Sequence, residues 1–120
     1  DRDQLIQALL NIAVNAQHAV GDKGTITFRT RTRRQITIGQ TRHKLICQID
    51  IIDDGPGIPE DMLEKIFFPM VTNRADGSGL GLSISQTLIQ QHHGIIQCKS
   101  KPGRTVFSVL LPFKNSQTHE

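Results

Sequence analysis

The sequence predicts an α+β (α/β) two-layer sandwich, with a mixed, largely antiparallel sheet and three helices on one face. Three observations predict it. An amphipathic helical stretch opens the chain, the strand-like runs come in neighbouring pairs joined by turns, and the regular strand–helix alternation of a doubly wound sheet is missing. A chain of 120 residues fits one compact domain that buries a core without metal or disulfide staples.

Residues 3–20 read as the first helix. Leu5, Leu9, Ile12, Ala16 and Ala19 recur at helical spacing, Asp1 or Asp3 offers an N-cap and Gly21 a stop. Polar residues form a second stripe on this helix: Gln4, Gln7, Asn11, Asn15 and His18 lie three or four apart and share a face. Residues 24–34 alternate, Ile26 and Phe28 against Thr27 and Arg29, as a half-buried strand does. The polar stretch from Gly39 to His43 is read as a turn into a second strand, Leu45–Ile52, which makes a hairpin. That strand ends at the turn cluster DDGPGIP, residues 53–59.

A short helix is expected over residues 60–66, a glycine-rich loop over 69–81, and a third helix over 82–92 stopped by Gly94. Strands Ile95–Ser100 and Thr105–Leu111 follow, joined at Pro102-Gly103. The domain is therefore drawn as residues 1–113, with 114–120 a polar C-terminal tail.

Composition narrows the function classes. No apolar run approaches the length of a membrane span, so no membrane contact by this domain is expected. Cys47 and Cys98 lack the paired spacing of a zinc or redox motif and read as two buried reduced thiols, which fits a cytoplasmic protein. The net charge is +3, with Arg29, Arg31, Arg33 and Arg34 clustered and neither Trp nor Tyr present. The solvated face of one strand is preferred here over a nucleic-acid patch, which favours stacking side chains.

Two glycine motifs carry chemistry. In DDGPGIP a carboxylate at a strand end precedes Gly55 and Gly57. It can accept a hydrogen bond from an exocyclic amine while the glycines let a flat ligand approach. Alone, such a turn is common. In DGSGLGLS, residues 76–83, three glycines run straight into a helix start, where free N–H groups and the helix dipole favour phosphate. It is neither a Walker A loop nor a Rossmann fingerprint. Magnesium needs only one protein oxygen beside phosphates and water, and an amide on the first helix could supply it.

In order, NIAVNA, DDGPGIP, IFFPM, GSGLGLS and PGRTVF resemble the N, G1, F, G2 and G3 boxes of the sensor histidine kinase catalytic domain. The resemblance covers nearly the whole chain in the family's order and spacing. It implies the Bergerat (GHKL) ATP-binding fold shared with gyrase, HSP90 and MutL. FFPMVTNRADGSGLGLSI is similar to the nitrogen-regulation sensor kinases of the NtrB type, with their short lid and a Pro-Met after the F-box phenylalanine.

The resemblance implies ATP and Mg²⁺ as cofactors and assigns residues. Asn15 would ligate Mg²⁺, Asn11 would contact phosphate or its waters, and His18 lies where the family often has a basic residue. Asp53 would accept from the adenine amino group, with Gly55, Gly57 and Ile58 shaping the pocket and Thr105 near it. Asp54 stands where the family more often has Asn, with little consequence expected. Phe67 would pack beneath the lid, where Met70 replaces the commoner Phe, and Arg74 would reach a phosphate. Gly77, Gly79, Leu80, Gly81 and Leu82 would form the phosphate-binding end of the lid. Arg104 stands where many members have Gly, which puts the turn there in question.

ATPases of this fold carry a glutamate one helical turn before the metal asparagine, as general base. Here that position is Asn11, so phosphoryl transfer to a protein side chain with poor hydrolysis is expected. Histidines 18, 43, 92, 93 and 119 all lack the H-E-x-x-x-P-like context of the family's phosphoacceptor. The chain therefore reads as a catalytic domain that phosphorylates a histidine on its own separate dimerisation domain, in nitrogen regulation. Its partners would be an NtrC-type response regulator and a PII signal protein, with the isolated piece monomeric and the full-length protein dimeric. The competing classes are an anti-sigma-type serine kinase of the same fold and a non-catalytic nucleotide-dependent binding module.

Overall fold

A computed structural model of the chain describes residues 2–63 and 82–113. Its elements run α1 (Arg2–Val20), β1 (Ile26–Ile38), β2 (Thr41–Asp53), α2 (Glu60–Leu63), α3 (Ser83–Gln91), β3 (Ile95–Lys101) and β4 (Arg104–Pro112). The four strands form one sheet in the order β1-β2-β4-β3. All three pairings among the described strands are antiparallel. β4 lies between β2 and β3, so the α2–α3 connection carries the chain across the sheet before the second hairpin closes.

The helices gather on one face. Ala8, Ile12 and Ala16 of α1 meet Leu82 and Ile89 at α3 and Ile51, Ile96, Phe107 and Val109 of the sheet in a single buried cluster. Leu63 of α2 packs at its margin. Each fully buried aliphatic side chain contributes about 1.5–3 kcal/mol, and their contiguity fixes where α1 lies. Alanine at position 8 lets the helices approach closely, and the Ser85 hydroxyl donates to the Ala8 carbonyl at 3.2 Å. The opposite face of the sheet carries no helix among the described residues.

Three expectations change in detail, and one lies partly outside the described residues. The first hairpin is longer than its sequence pattern, with β1 running to Ile38 and β2 starting at Thr41. Its turn is confined to Gly39 and Gln40, because Gly39 takes φ +61°. Of the polar residues read as a turn, Thr41, Arg42 and His43 are paired strand residues, and His43 is buried. On α1 the buried line is 8–12–16, and Ala19 is exposed at the helix end. Helix α2 is described only to Leu63; residues 64–66 lie outside the described part. Cys47 and Cys98 are free thiols but only half-buried.

Candidate functional site

The end of β2 delivers the site. Pairing with β1 and β4 continues to Asp53, opposite Ile26 on one side and Thr105 on the other. Strand alternation puts Asp53 on the helix-covered face with Ile51, and the side chain is 2% exposed. Its Oδ1 accepts the Gly55 backbone N–H at 2.9 Å, the one hydrogen bond to this carboxylate among the described residues. Burial raises its pKa above the usual carboxylate value, partly offset by the Gly55 bond, while the neighbouring Asp54 charge raises it further. The thiol of Cys98 is pushed up to about 12 by burial first and by the Asp53 charge second. A carboxylate held in this way has an oxygen left for a donor from outside.

The β3–β4 hairpin clamps the turn that follows. The Gly103 N–H donates to the Gly55 carbonyl at 3.1 Å, and the Ile58 N–H donates to Ser100 Oγ at 2.7 Å. Ser100 Oγ and Thr105 Oγ1 share a hydrogen bond of 2.7 Å. Gly57, at φ +90°, lies so close that an added Cβ would stand 2.7 Å from the Lys101 carbonyl oxygen. Only glycine meets both the dihedral and the contact. Gly55, Gly57, Ile58 and Thr105 therefore form one clamped unit with Asp53. Arg104 does not disturb the turn, because Gly103 takes the positive φ (+87°) and Arg104 pairs normally with Lys101.

Helix α1 reaches the same turn from the other side. A Cβ on Gly55 would lie 3.0 Å from the Ala19 carbonyl oxygen. Asn15 and Asn11 are one and two turns back along the line that ends at Ala19. Both amides are half-buried, and His18 is exposed. Asp54 is not idle: its Oδ1 accepts the Thr25 N–H at 2.8 Å and ties the entry of β1 to the turn. Two surface clefts flank the turn. One of about 700 Å³ lies between Pro56–Glu60 and Ser100–Pro102, and one of about 480 Å³ lies between Ala19–Gly24 and Asp54–Pro56.

Leu82 is fully buried in the core cluster, so its side chain is closed to a ligand and only its backbone is on offer. It caps α3 without a side-chain hydrogen bond, at the helix end where backbone N–H groups lack intrahelical partners. Phe67, Met70, Arg74, Gly77, Gly79, Leu80 and Gly81 lie outside the described residues. Sequence reasoning missed Ser100. The register would have found it, since a two-residue turn at Pro102-Gly103 places Ser100 directly opposite Thr105.

The family model described as "Histidine kinase-, DNA gyrase B-, and HSP90-like ATPase" matches residues 1–115. The chain belongs to this family. It is 52% identical to the sensory histidine kinase/phosphatase NtrB of Proteus hauseri over 93% of its own length and 32% of the relative's. With the NtrB of Klebsiella oxytoca it shares 50% over 95% of its length and 33% of the relative's. The chain thus spans about a third of the length of these curated relatives. Among solved structures it resembles the nucleotide-free catalytic domain of histidine kinase ThkA, with TM-score 0.73 and 32% identity over 93% of this chain and 68% of that one. It also matches ThkA in a complex with the response regulator TrrA, at TM-score 0.73 and 30% identity, over 95% of this chain and 30% of that one. As a histidine kinase-type ATPase domain, it is a domain that uses ATP.

Proposed function

We propose that this chain is the catalytic and ATP-binding domain of an NtrB-type sensor histidine kinase in nitrogen regulation, working in the cytoplasm. Asp53 carries the reading: a buried carboxylate that spends one oxygen on its own turn and keeps hydrogen-bonding capacity at the edge of the core. It accepts the adenine amino group, with Gly55, Gly57, Ile58 and Thr105 as the surrounding wall. Asn11 and His18 face the phosphates from α1, and Arg74 and the Gly77, Gly79, Leu80, Gly81 and Leu82 backbone face them from the lid, above Phe67.

Magnesium fits as a singly held ion. The described residues contain no cluster of three or more His, Cys, Asp or Glu side chains suited to a metal, whereas Mg²⁺ between phosphates needs only one hard protein oxygen. The Asn15 amide would supply that oxygen, and the bound ion would neutralise phosphate charge. The histidine nitrogen of a separate dimerisation domain attacks the γ-phosphorus and ADP leaves. This domain contributes alignment and charge stabilisation. Asn11, an amide without useful basicity, does not activate water, so hydrolysis is slow. An NtrC-type response regulator then takes the phosphoryl group and a PII signal protein sets the balance. The full-length protein is a dimer and the isolated domain a monomer.

Calorimetric titration with a non-hydrolysable ATP analogue, with and without Mg²⁺, tests the site on wild type and Asn15→Ala. Magnesium-enhanced binding that loses its metal dependence in Asn15→Ala is expected; binding indifferent to Mg²⁺ in the wild type would remove Asn15 from the scheme. Mixing the domain with a separately made dimerisation domain and labelled ATP tests transfer. Acid-labile phosphate on that domain is expected. Acid-stable phosphate on serine would point to a serine kinase instead, and binding without transfer to a nucleotide-dependent module.

A further inference from the structure

The helix-free face of the sheet holds a trough of about 610 Å³. Its cations stand on two rims. Arg29, Arg31 and Arg33 project from β1, while Lys99 and Lys101 of β3 and Arg104 of β4 line the other side. β1 and β3 are three strand spacings apart, about 14 Å at the usual interstrand spacing. Among the described residues, six of the eleven Lys and Arg line this one trough, against one of the seven Asp and Glu.

That one acid is already answered. Asp50, fully buried in the floor, accepts Arg29 Nη2 at 2.8 Å, Gln48 Nε2 at 2.8 Å and Ser108 Oγ at 2.6 Å. Arg31 lies farther off, with its Nε 3.9 Å from Asp50, and Arg33 is held by Gln48 Oε1 at 2.7 Å. The network aligns the β1 arginines without neutralising the trough. Between the rims the floor adds apolar Val106 and Leu110.

We infer that this trough docks an acidic polypeptide segment of a partner protein. Two basic rims over a partly apolar floor complement a segment with carboxylates on both flanks and small apolar side chains beneath. An α-helix with side chains is about 10–12 Å across and an extended strand is narrower, so either fits between the rims. Among the described residues no aromatic side chain lines the trough for base stacking, and a flat bilayer does not enter a concave floor. The chain's own last seven residues, KNSQTHE, hold one Lys and one Glu and give no excess of negative charge. The trough lies across the sheet from Asp53, so the inference stands apart from the nucleotide reading.

The test uses the intact chain and a labelled synthetic peptide of Glu interspersed with Ala and Leu, read by fluorescence anisotropy at low salt. Binding that weakens with added salt is expected, and Arg31→Glu/Lys99→Glu should lower affinity about tenfold or more, since reversed rim charges repel the ligand. The thermal midpoint should stay near that of the wild type. Should the double reversal unfold the chain, Arg31→Gln/Lys99→Gln must still weaken binding measurably. Equal binding of the Gln counterpart peptide, or full affinity in the charge variants, overturns the proposal. So does tighter binding of a single-stranded oligonucleotide or of phosphatidylglycerol vesicles than of the peptide, which would mark a nucleic-acid or lipid surface.

Discussion

Asp50 and Asp53 sit three residues apart on β2, both buried, and face opposite sides of the sheet. Burial pushes both carboxyls toward the neutral form, but the outcomes differ. At Asp50 the hydrogen bonds from Gln48, Ser108 and Arg29 and the Arg29 charge outweigh burial, and the pKa falls below the usual value. At Asp53 a single bond from Gly55 does not, and the pKa rises. One carboxylate has its partners within the fold. The other is kept at a cost to the free domain, which suits the adenine-accepting role proposed for it. The contrast separates a carboxylate satisfied by the fold from one that is not, within a single strand.

The largest expected effect breaks the satisfied member. Asp50→Ala leaves buried Gln48 and half-buried Ser108 without their acceptor and Arg29 without its counter-ion. Stability should drop by about 3 kcal/mol in urea unfolding, the cost of stranding buried donors and part of an ion pair. Nucleotide affinity of the folded fraction should be unchanged. A loss below 1 kcal/mol would mean that water replaces the network freely, a sign that the floor of the trough is wetter than its geometry suggests.

Asp53→Asn should behave the other way. The amide oxygen can still accept from Gly55, and a buried charge is removed, so the thermal midpoint should match or exceed that of the wild type. ATP-analogue affinity should fall roughly 10- to 100-fold, the worth of one charge-assisted hydrogen bond. A variant that is destabilised and binds normally would reassign Asp53 to the fold.

The sequence made Asp53 legible and left Asp50 hidden, for a physical reason. Asp53 belongs to a contiguous motif, DDGPGIP, whose glycines and prolines announce a turn with an exposed backbone. Asp50 lies mid-strand in QIDII, and its partners come from Arg29, 21 residues before it, and Ser108, 58 residues after it. Only the strand order brings them together. The helix stripe, the paired strands and the β3–β4 turn were readable because each is a local pattern. The extent of the first hairpin and the serine at position 100 were not, since pairing partners decided them. Asp54 shows the same limit: its bond to the Thr25 N–H spans 29 residues, a link no local pattern announces.

A smaller effect sharpens the comparison from β3, on the far side of β4. Ser100 Oγ accepts from Ile58 and bonds Thr105, joining the turn after Asp53 to the hairpin. Ser100→Ala should cost about 1 kcal/mol in chemical denaturation, since Ile58 loses its acceptor, and should weaken the ATP analogue only a few-fold. The Gly103–Gly55 bond persists in that variant and keeps the turn in place. A loss of affinity as large as that of Asp53→Asn would instead put Ser100 in contact with the ligand.

The subtlest prediction uses pH, because the two aspartates respond to it with opposite sign. Asp53 binds its proton more tightly folded than unfolded, so ionising it costs stability as pH rises from about the unfolded value, 3.8, through its raised folded value. Asp50 binds its proton less tightly when folded. Its contribution is present above 3.8 and is lost as pH falls below that value through its lowered folded one. Urea unfolding of wild type and Asp53→Asn from neutral pH down to pH 4 should therefore show a gap that favours the variant at neutral pH and narrows on acidification. Asp50 is present in both proteins with the same partners, so its contribution cancels from the difference. A gap that instead widens in favour of the variant as pH falls would mean that the Asp53 carboxylate is stabilised in the free domain, by a donor already serving its second oxygen. The site would then have to displace that donor to take a nucleotide.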